Sequence, residues 1–145
     1  MKLTGEPWAV SELRHAEMFL IRHAPVAGAG RLVGRLDLPA DLSNRSAIAA
    51  LAARLPEGAM LTSSPARRCL MTAEALMPGL AARTMESLWE QDFGEWEGLS
   101  HSAVPDLGPL EPEALADHRP PGGESFRDLG ARTIPALLEL ARAGG

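Results

Sequence analysis

The sequence predicts an α/β layered domain with a mostly parallel sheet, and three observations lead there. Met18-Phe19-Leu20-Ile21 is a short, continuously apolar run, the form of a strand buried on both faces. Apolar residues recur at helical spacing over Ser43–Leu55 and again from Ala66 to Met77. Two further short strand-like runs follow these helices, so strands and helices alternate along the chain.

Taken in order, residues 1–17 read as an N-terminal arm, loosely attached, with Trp8 and Leu13 able to pack on the body. The domain proper is expected over residues 18–145. After Ile21 the chain runs Arg22-His23-Ala24-Pro25, and Pro25 cannot extend the pairing, so the polar pair falls at the strand's end. A Gly-rich loop from Ala27 to Gly34 leads to Arg35-Leu36-Asp37-Leu38-Pro39. The first helix has Ser43 as its cap, Ile48, Leu51, Ala52 and Leu55 on one face, and Pro56 and Gly58 to stop it. Ala59–Ser63 is the second strand. Ser64-Pro65 then supplies an N-cap followed by proline at the first helical position. Ala66, Cys69, Leu70, Ala73, Leu76 and Met77 mark the buried face of the second helix, ended by Pro78-Gly79. A further strand lies within Leu80–Met85. Leu88 to Pro121 is rich in Pro, Gly and acids and reads as loop with one short helix. The last helix spans Ser125–Ala143, kinked or split at Pro135.

With 145 residues, 46% of them hydrophobic, the chain is the size of one domain with its own core. A net charge of -5 argues against a general nucleic-acid binder, which needs an extended basic surface. Cys69, the only cysteine, excludes an internal disulfide framework and a Cys-rich zinc site, and reads as a buried, inert thiol. No apolar run approaches the roughly 20 residues that cross a bilayer. The N-terminus has Glu6, Glu12 and Glu17 but no apolar core of a secretory signal. These features predict a soluble cytoplasmic protein.

Chemistry concentrates in four places. Ligands of parallel α/β sheets bind beyond the carboxyl ends of strands, where Arg22 and His23 are delivered. Arginine offers a planar fork matched to phosphate oxygens, and a neutral imidazole can attack phosphorus while its other nitrogen is held. The dipeptide alone equally fits an Arg and a His exposed to water. Second, Ser63-Ser64-Pro65-Ala66-Arg67-Arg68 puts two arginines in a helix's first turn, where the dipole already favours negative charge. An anion bound there, on the free backbone N–H groups, would account for them; so would two solvated side chains. The neighbours point about 100° apart, so one faces a site and the other solvent. Third, Leu88-Trp89-Glu90-Gln91-Asp92-Phe93-Gly94-Glu95-Trp96-Glu97-Gly98 sets four acids beside three aromatic rings whose bulk can raise a nearby carboxyl pKa. At most one or two of them suit general acid work; the rest read as surface. Fourth, Pro120-Pro121-Gly122-Gly123-Glu124-Ser125 is a loop and a helix start.

In this order the pieces resemble the histidine phosphatase superfamily, also called phosphoglycerate mutase-like. They are Leu20-Ile21-Arg22-His23-Ala24, Gly34 to Pro39, Ser63 to Arg68 with Thr72-Ala73-Glu74, Leu88 to Gly98, and Gly123-Glu124-Ser125. Arg-His-Ala-Pro-Val, Gly-Arg-Leu-Asp and Pro-Gly-Gly-Glu-Ser look most like the α-ribazole phosphatase branch of cobalamin synthesis. The resemblance implies a three-layer sandwich with a mostly parallel central sheet flanked by helices. It implies that His23 is the nucleophile that becomes phosphohistidine, that Arg22 and Arg68 clamp the phosphoryl oxygens with Arg67 turned outward, and that Glu90 protonates the leaving oxygen and then activates water. No metal and no cofactor are implied, since arginines offset the charge a magnesium ion otherwise would.

Two departures stand out. Many members carry an asparagine five or six residues past the nucleophile, where this chain has Gly28 and Ala29. The family also places a second active-site histidine in a Val-x-His-Gly segment on a strand after the last helix, and these 145 residues contain none. His15, His101 and His118 stand in contexts that do not match it. The expectation is therefore a C-terminally incomplete domain with little activity by itself.

The activity expected is that of a metal-independent phosphomonoesterase acting on a small phosphorylated metabolite, with α-ribazole 5'-phosphate as a candidate. Two other readings stay open. One is a non-catalytic domain that binds a phosphate ligand or a phosphoprotein. The other is a mutase-type phosphotransferase, disfavoured because mutases generally carry longer insertions around the site, for which this chain has no room. Expected partners are the small substrate alone, with no nucleic acid and no membrane; a homodimer is left open.

Overall fold

The computed structural model describes residues 17–28 and 30–143; the expected N-terminal arm, apart from Glu17, lies outside them. The described residues form four α-helices, α1 (Arg45–Ala52), α2 (Arg67–Leu76), α3 (Pro112–Asp117) and α4 (Phe126–Ala143), and two short strands, β1 (Thr62–Ser63) and β2 (Arg83–Thr84). The strands pair in parallel with Thr62 opposite Arg83 and Ser63 opposite Thr84. The Arg83 N–H donates to Leu61 O at 2.9 Å and the Met85 N–H to Ser63 O at 3.0 Å. The alternation of helices with a parallel sheet is thus present. The sheet of the described residues has two strands, each shorter than the run that predicts it.

The largest departure is at Met18–Ile21. This run is in no paired strand, and its side chains are exposed, Leu20 most of all at 74%. A strand exists only through hydrogen bonds to a neighbour, and none of the described residues supplies them here.

The helices begin close to their expected places. α1 starts after Asn44, whose side chain accepts from the Ala47 N–H at 3.1 Å, so the cap is one residue later than Ser43. Past Ala52 the chain tightens into i→i+3 bonds, Arg54 N–H to Leu51 O and Leu55 N–H to Ala52 O, before Pro56. α4 is one continuous helix and Pro135 lies inside it, so the expected split does not occur. Proline removes the bond to the carbonyl of Ala131, but both residues are exposed and water can serve that oxygen. Ala136 is its one buried residue, while Phe126, Ile134 and Leu138 are exposed.

Between these elements, two 3₁₀ turns, Glu86–Leu88 and Gly94–Trp96, and α3 organise the long loop. The Gly-rich segment folds back on itself and onto that loop through isolated antiparallel bridges, Val26 with Ala40 and Arg31 with Ser100. The buried apolar residues are small or medium, Ala40, Ala66, Ala73, Leu76 and Ala136. The largest fully buried side chain is that of Arg68. A cation is the centre of this packing, and its partners define the site.

Candidate active site

Arg68 sits in the first turn of α2 and is 1% exposed. Each arm of its guanidinium has a partner. Nε donates to His23 Nε2 at 3.3 Å, one terminal nitrogen to Leu36 O at 3.3 Å, and the other to Gly34 O at 2.8 Å. These partners among the described residues are two carbonyls and an imidazole nitrogen, which satisfy donors while leaving the positive charge uncancelled. Arg67 is exposed, as the angular separation of adjacent helical residues requires.

His23 is half-buried and held at both ring nitrogens. Nδ1 lies 2.7 Å from Ala24 O, and a carbonyl can only accept, so Nδ1 carries the proton. Nε2 then presents its lone pair, and Arg68 Nε–H points at it. The adjoining backbone is pinned by Thr72, which accepts from the Ala24 N–H at 2.9 Å and donates to Arg68 O at 2.7 Å. One buried hydroxyl thus fixes the chain beside the imidazole to the helix bearing the guanidinium.

The start of α2 revises one expectation. Its N-terminus does attract an anion, but that anion is the chain's own Asp37, whose Oδ1 accepts from the Arg67 N–H at 2.6 Å. Ser64 Oγ accepts from the Ala66 N–H at 3.3 Å, and Ala66 rather than Ser64 is the cap residue. These two amides are therefore occupied, and Arg68 is held in place by carbonyls.

Those carbonyls are positioned by Glu97. Its Oε2 accepts from the N–H groups of Gly34 (3.0 Å) and Leu36 (3.1 Å), its Oε1 from those of Arg35 (2.8 Å) and Phe93 (3.2 Å). Burial alone would push its pKa up, but the four amides outweigh it and the carboxyl is held below its ordinary value. The net shift at Glu97 is therefore downward, against the upward one expected beside aromatic rings. Gly34 is buried, and a Cβ on it would collide with Gln91 O and the Phe93 ring, so the chain can pass only without a side chain.

Of the other loop acids, Asp92 accepts from the Gly94 N–H at 2.8 Å and Glu95 is exposed. Glu90 is the one that lines a groove of about 680 Å³ together with Arg22, His23 and Arg68. The four residues singled out from the sequence thus share one cavity. Cys69 also lines it; it is half-buried rather than buried, and its thiol is pushed up by loss of solvent. The remaining histidines are elsewhere. His118 stacks on Trp96, ring centroids 5.4 Å apart, beside a second, apolar cavity of about 490 Å³. His101 is exposed, and His15 lies outside the described residues.

Sequence reasoning overlooked three residues. Arg35 lies over the Trp89 ring, 5.4 Å from its centroid. Glu97 and Arg132 act through backbone groups far away in the sequence, and neither carries a local signal of that role.

A neutral imidazole, an uncancelled guanidinium and a carboxyl group on one groove make a site suited to a tetrahedral anion. The chain belongs to the histidine phosphatase superfamily (branch 1), which it matches over residues 18–145. It is 32% identical to the glucosyl-3-phosphoglycerate phosphatase of Mycobacterium tuberculosis over 139 residues, covering 88% of this chain and 61% of that protein. It is 38% identical over 85 residues to the human 6-phosphofructo-2-kinase/fructose-2,6-bisphosphatase 4, covering 55% of this chain and 18% of that one. The chain thus spans about three-fifths of the mycobacterial relative. Among solved structures, TTHB049 from Thermus thermophilus superposes with a TM-score of 0.64 at 29% identity, covering 81% of this chain and 68% of that one. The α-ribazole branch suggested by the motifs is not the one that the two curated relatives represent. Among the described residues, no helix is long and apolar enough to cross a membrane.

Proposed function

We propose that this site belongs to a metal-independent phosphomonoesterase that hydrolyses a small phosphorylated metabolite through a phosphohistidine. The observation that carries the reading is the pairing at His23, with Nδ1 fixed on Ala24 O and the Nε2 lone pair facing Arg68. In the first step Nε2 attacks phosphorus and the ester P–O bond breaks, while the Glu90 carboxyl gives its proton to the leaving oxygen. Arg68 and Arg22 take the equatorial oxygens, and Arg68 gives up its contact with Nε2 as the phosphoryl group arrives. In the second step water attacks the phosphohistidine, Glu90 takes its proton, the N–P bond breaks and inorganic phosphate leaves.

The substrate class follows from the relatives and the motifs together. A phosphorylated sugar or glycerate derivative fits the activities that the relatives' names state, and α-ribazole 5'-phosphate remains the candidate drawn from Pro121-Gly122-Gly123-Glu124-Ser125. The reading also includes an additional strand, bearing the second histidine, lying in the groove and completing a three-layer sandwich. What supports it is that Met18–Ile21 is exposed and in no paired strand along that groove.

The test is His23→Ala in the full-length protein. Loss of hydrolysis by at least about 10³-fold, together with loss of an acid-labile, base-stable phosphoryl label, is expected for removal of the nucleophile. Unchanged hydrolysis removes the central claim. If a second metabolite rather than water accepts the label, the protein is a phosphotransferase; if phosphate binds and no label forms, it is a binding domain.

A further inference from the structure

Arg132 is the most heavily engaged side chain outside the groove. It lies in α4, 42 residues from Glu90 in sequence, and all three of its guanidinium nitrogens donate. Nε and one terminal nitrogen grip the Glu124 carboxylate at 3.1 and 2.5 Å. That same terminal nitrogen reaches Glu90 O at 2.9 Å, and the other reaches Ser87 O at 2.8 Å. Ser87 O also accepts from Thr133 Oγ1 at 3.0 Å.

Glu124 closes the grip from the far side of Glu90. Its Oε1 accepts from the Asp92 N–H at 3.0 Å, its N–H donates to Asp92 O at 2.9 Å, and its carbonyl accepts from the Gln91 side chain at 2.8 Å. The pair is largely shielded, with side chains 22% and 18% exposed. Arg132 holds the Glu124 carboxyl below its ordinary pKa, which favours the ionised pair. The backbone around Glu90 is therefore gripped at Ser87, at Glu90 itself and at Asp92, and the Gln91 side chain is tied to Glu124 O. Yet the Glu90 side chain is exposed, and its one hydrogen bond among the described residues is from the Gln91 N–H, at 3.2 Å. Nothing else among the described residues directs it.

We propose that Arg132 and Glu124 form a brace whose job is to aim the Glu90 carboxyl at the leaving oxygen, making both of them positioning residues for proton transfer. The proposal rests on Glu90 being the acid. A brace acting on backbone alone fixes the Cα–Cβ direction of Glu90, and proton transfer is sensitive to misplacement of about 1 Å.

A loss of aim should depend on the leaving group. An alkyl phosphate expels a strongly basic alkoxide and needs the proton, whereas p-nitrophenyl phosphate expels a stable phenolate and hardly needs it. The experiment measures single-turnover phosphohistidine formation in the full-length protein from glycerol phosphate and from p-nitrophenyl phosphate. Arg132→Lys and Glu124→Gln are compared with Glu90→Gln, with Arg132→Gln as a further variant should the lysine one not fold.

Both brace variants are expected to lose about tenfold or more on the alkyl ester and less than about threefold on the nitrophenyl ester, a muted copy of Glu90→Gln. Equal losses on both esters, with Glu90→Gln still selective, would overturn the brace while leaving the acid in place. If Glu90→Gln shows no selectivity, the assignment of the acid fails and the brace with it.

Discussion

At the scale of single residues, Glu97 shows how a charge can organise a site without touching a substrate. Its two oxygens hold four amides, and the carbonyls of that turn hold Arg68 against His23. In Glu97→Gln an NH₂ replaces one oxygen and faces two N–H groups, so at most two of the four bonds survive. The expected cost is about 2 kcal/mol of stability, the scale for hydrogen bonds to a charged acceptor. The pH dependence has a definite sign. The folded carboxyl is held below its ordinary pKa, so its contribution is complete above the unfolded value near about 4.3 and disappears as pH falls through the lower folded value. Urea midpoints measured from pH 6 to pH 3 should fall more gently for Glu97→Gln than for the wild type. Because the other shifted carboxyls are common to both proteins, their difference isolates Glu97, and parallel slopes would contradict this account.

Among the elements, α2 separates what local sequence encodes from what it does not. Ala73 and Leu76 on its buried face follow from helical spacing; the angle between neighbours separates Arg67 from Arg68, and the family resemblance implies that Arg68 is the inward one. The anion at its N-terminus does not follow from spacing, because Asp37 lies 30 residues earlier. Asp37→Ala should cost about 1 kcal/mol, the usual worth of an N-terminal cap, and Asp37→Asn clearly less, because the amide oxygen still accepts. Chemical denaturation decides it; equal losses would show that charge rather than the hydrogen bond matters. The same division runs through the site. That His23, Arg22, Arg68 and Glu90 line one groove was legible because each stands in a local motif that resembles the family's. Glu97, Arg132 and the Thr72 link were not, because their roles arise only when backbone groups distant in sequence come together. Met18–Ile21 shows the converse. Its apolar pattern records that it suits a buried strand, while its pairing depends on a partner that pattern cannot supply.

At the scale of the whole molecule, the same groove that gathers the site residues also leaves large apolar side chains uncovered. Met18, Phe19, Leu20 and Met60 are exposed along it, at 38%, 45%, 74% and 69%. Each apolar side chain taken fully out of water is worth about 1.5–3 kcal/mol, so an extended segment filling the groove would stabilise the fold substantially. It would also bring further polar groups to the phosphate. Leu20→Lys tests whether this happens. In the 145-residue chain, where Leu20 is largely exposed, the change should move stability by no more than about 0.5 kcal/mol. In a longer chain carrying the additional histidine-bearing strand, it should cost about 3 kcal/mol or more, because the lysine would then lie unpaired between strands. That longer chain should also turn over p-nitrophenyl phosphate far faster than the 145-residue one. Equal turnover by the two, or a Leu20→Lys effect independent of length, would mean that the groove is a finished surface and that Arg68, Arg22 and Glu90 suffice around His23.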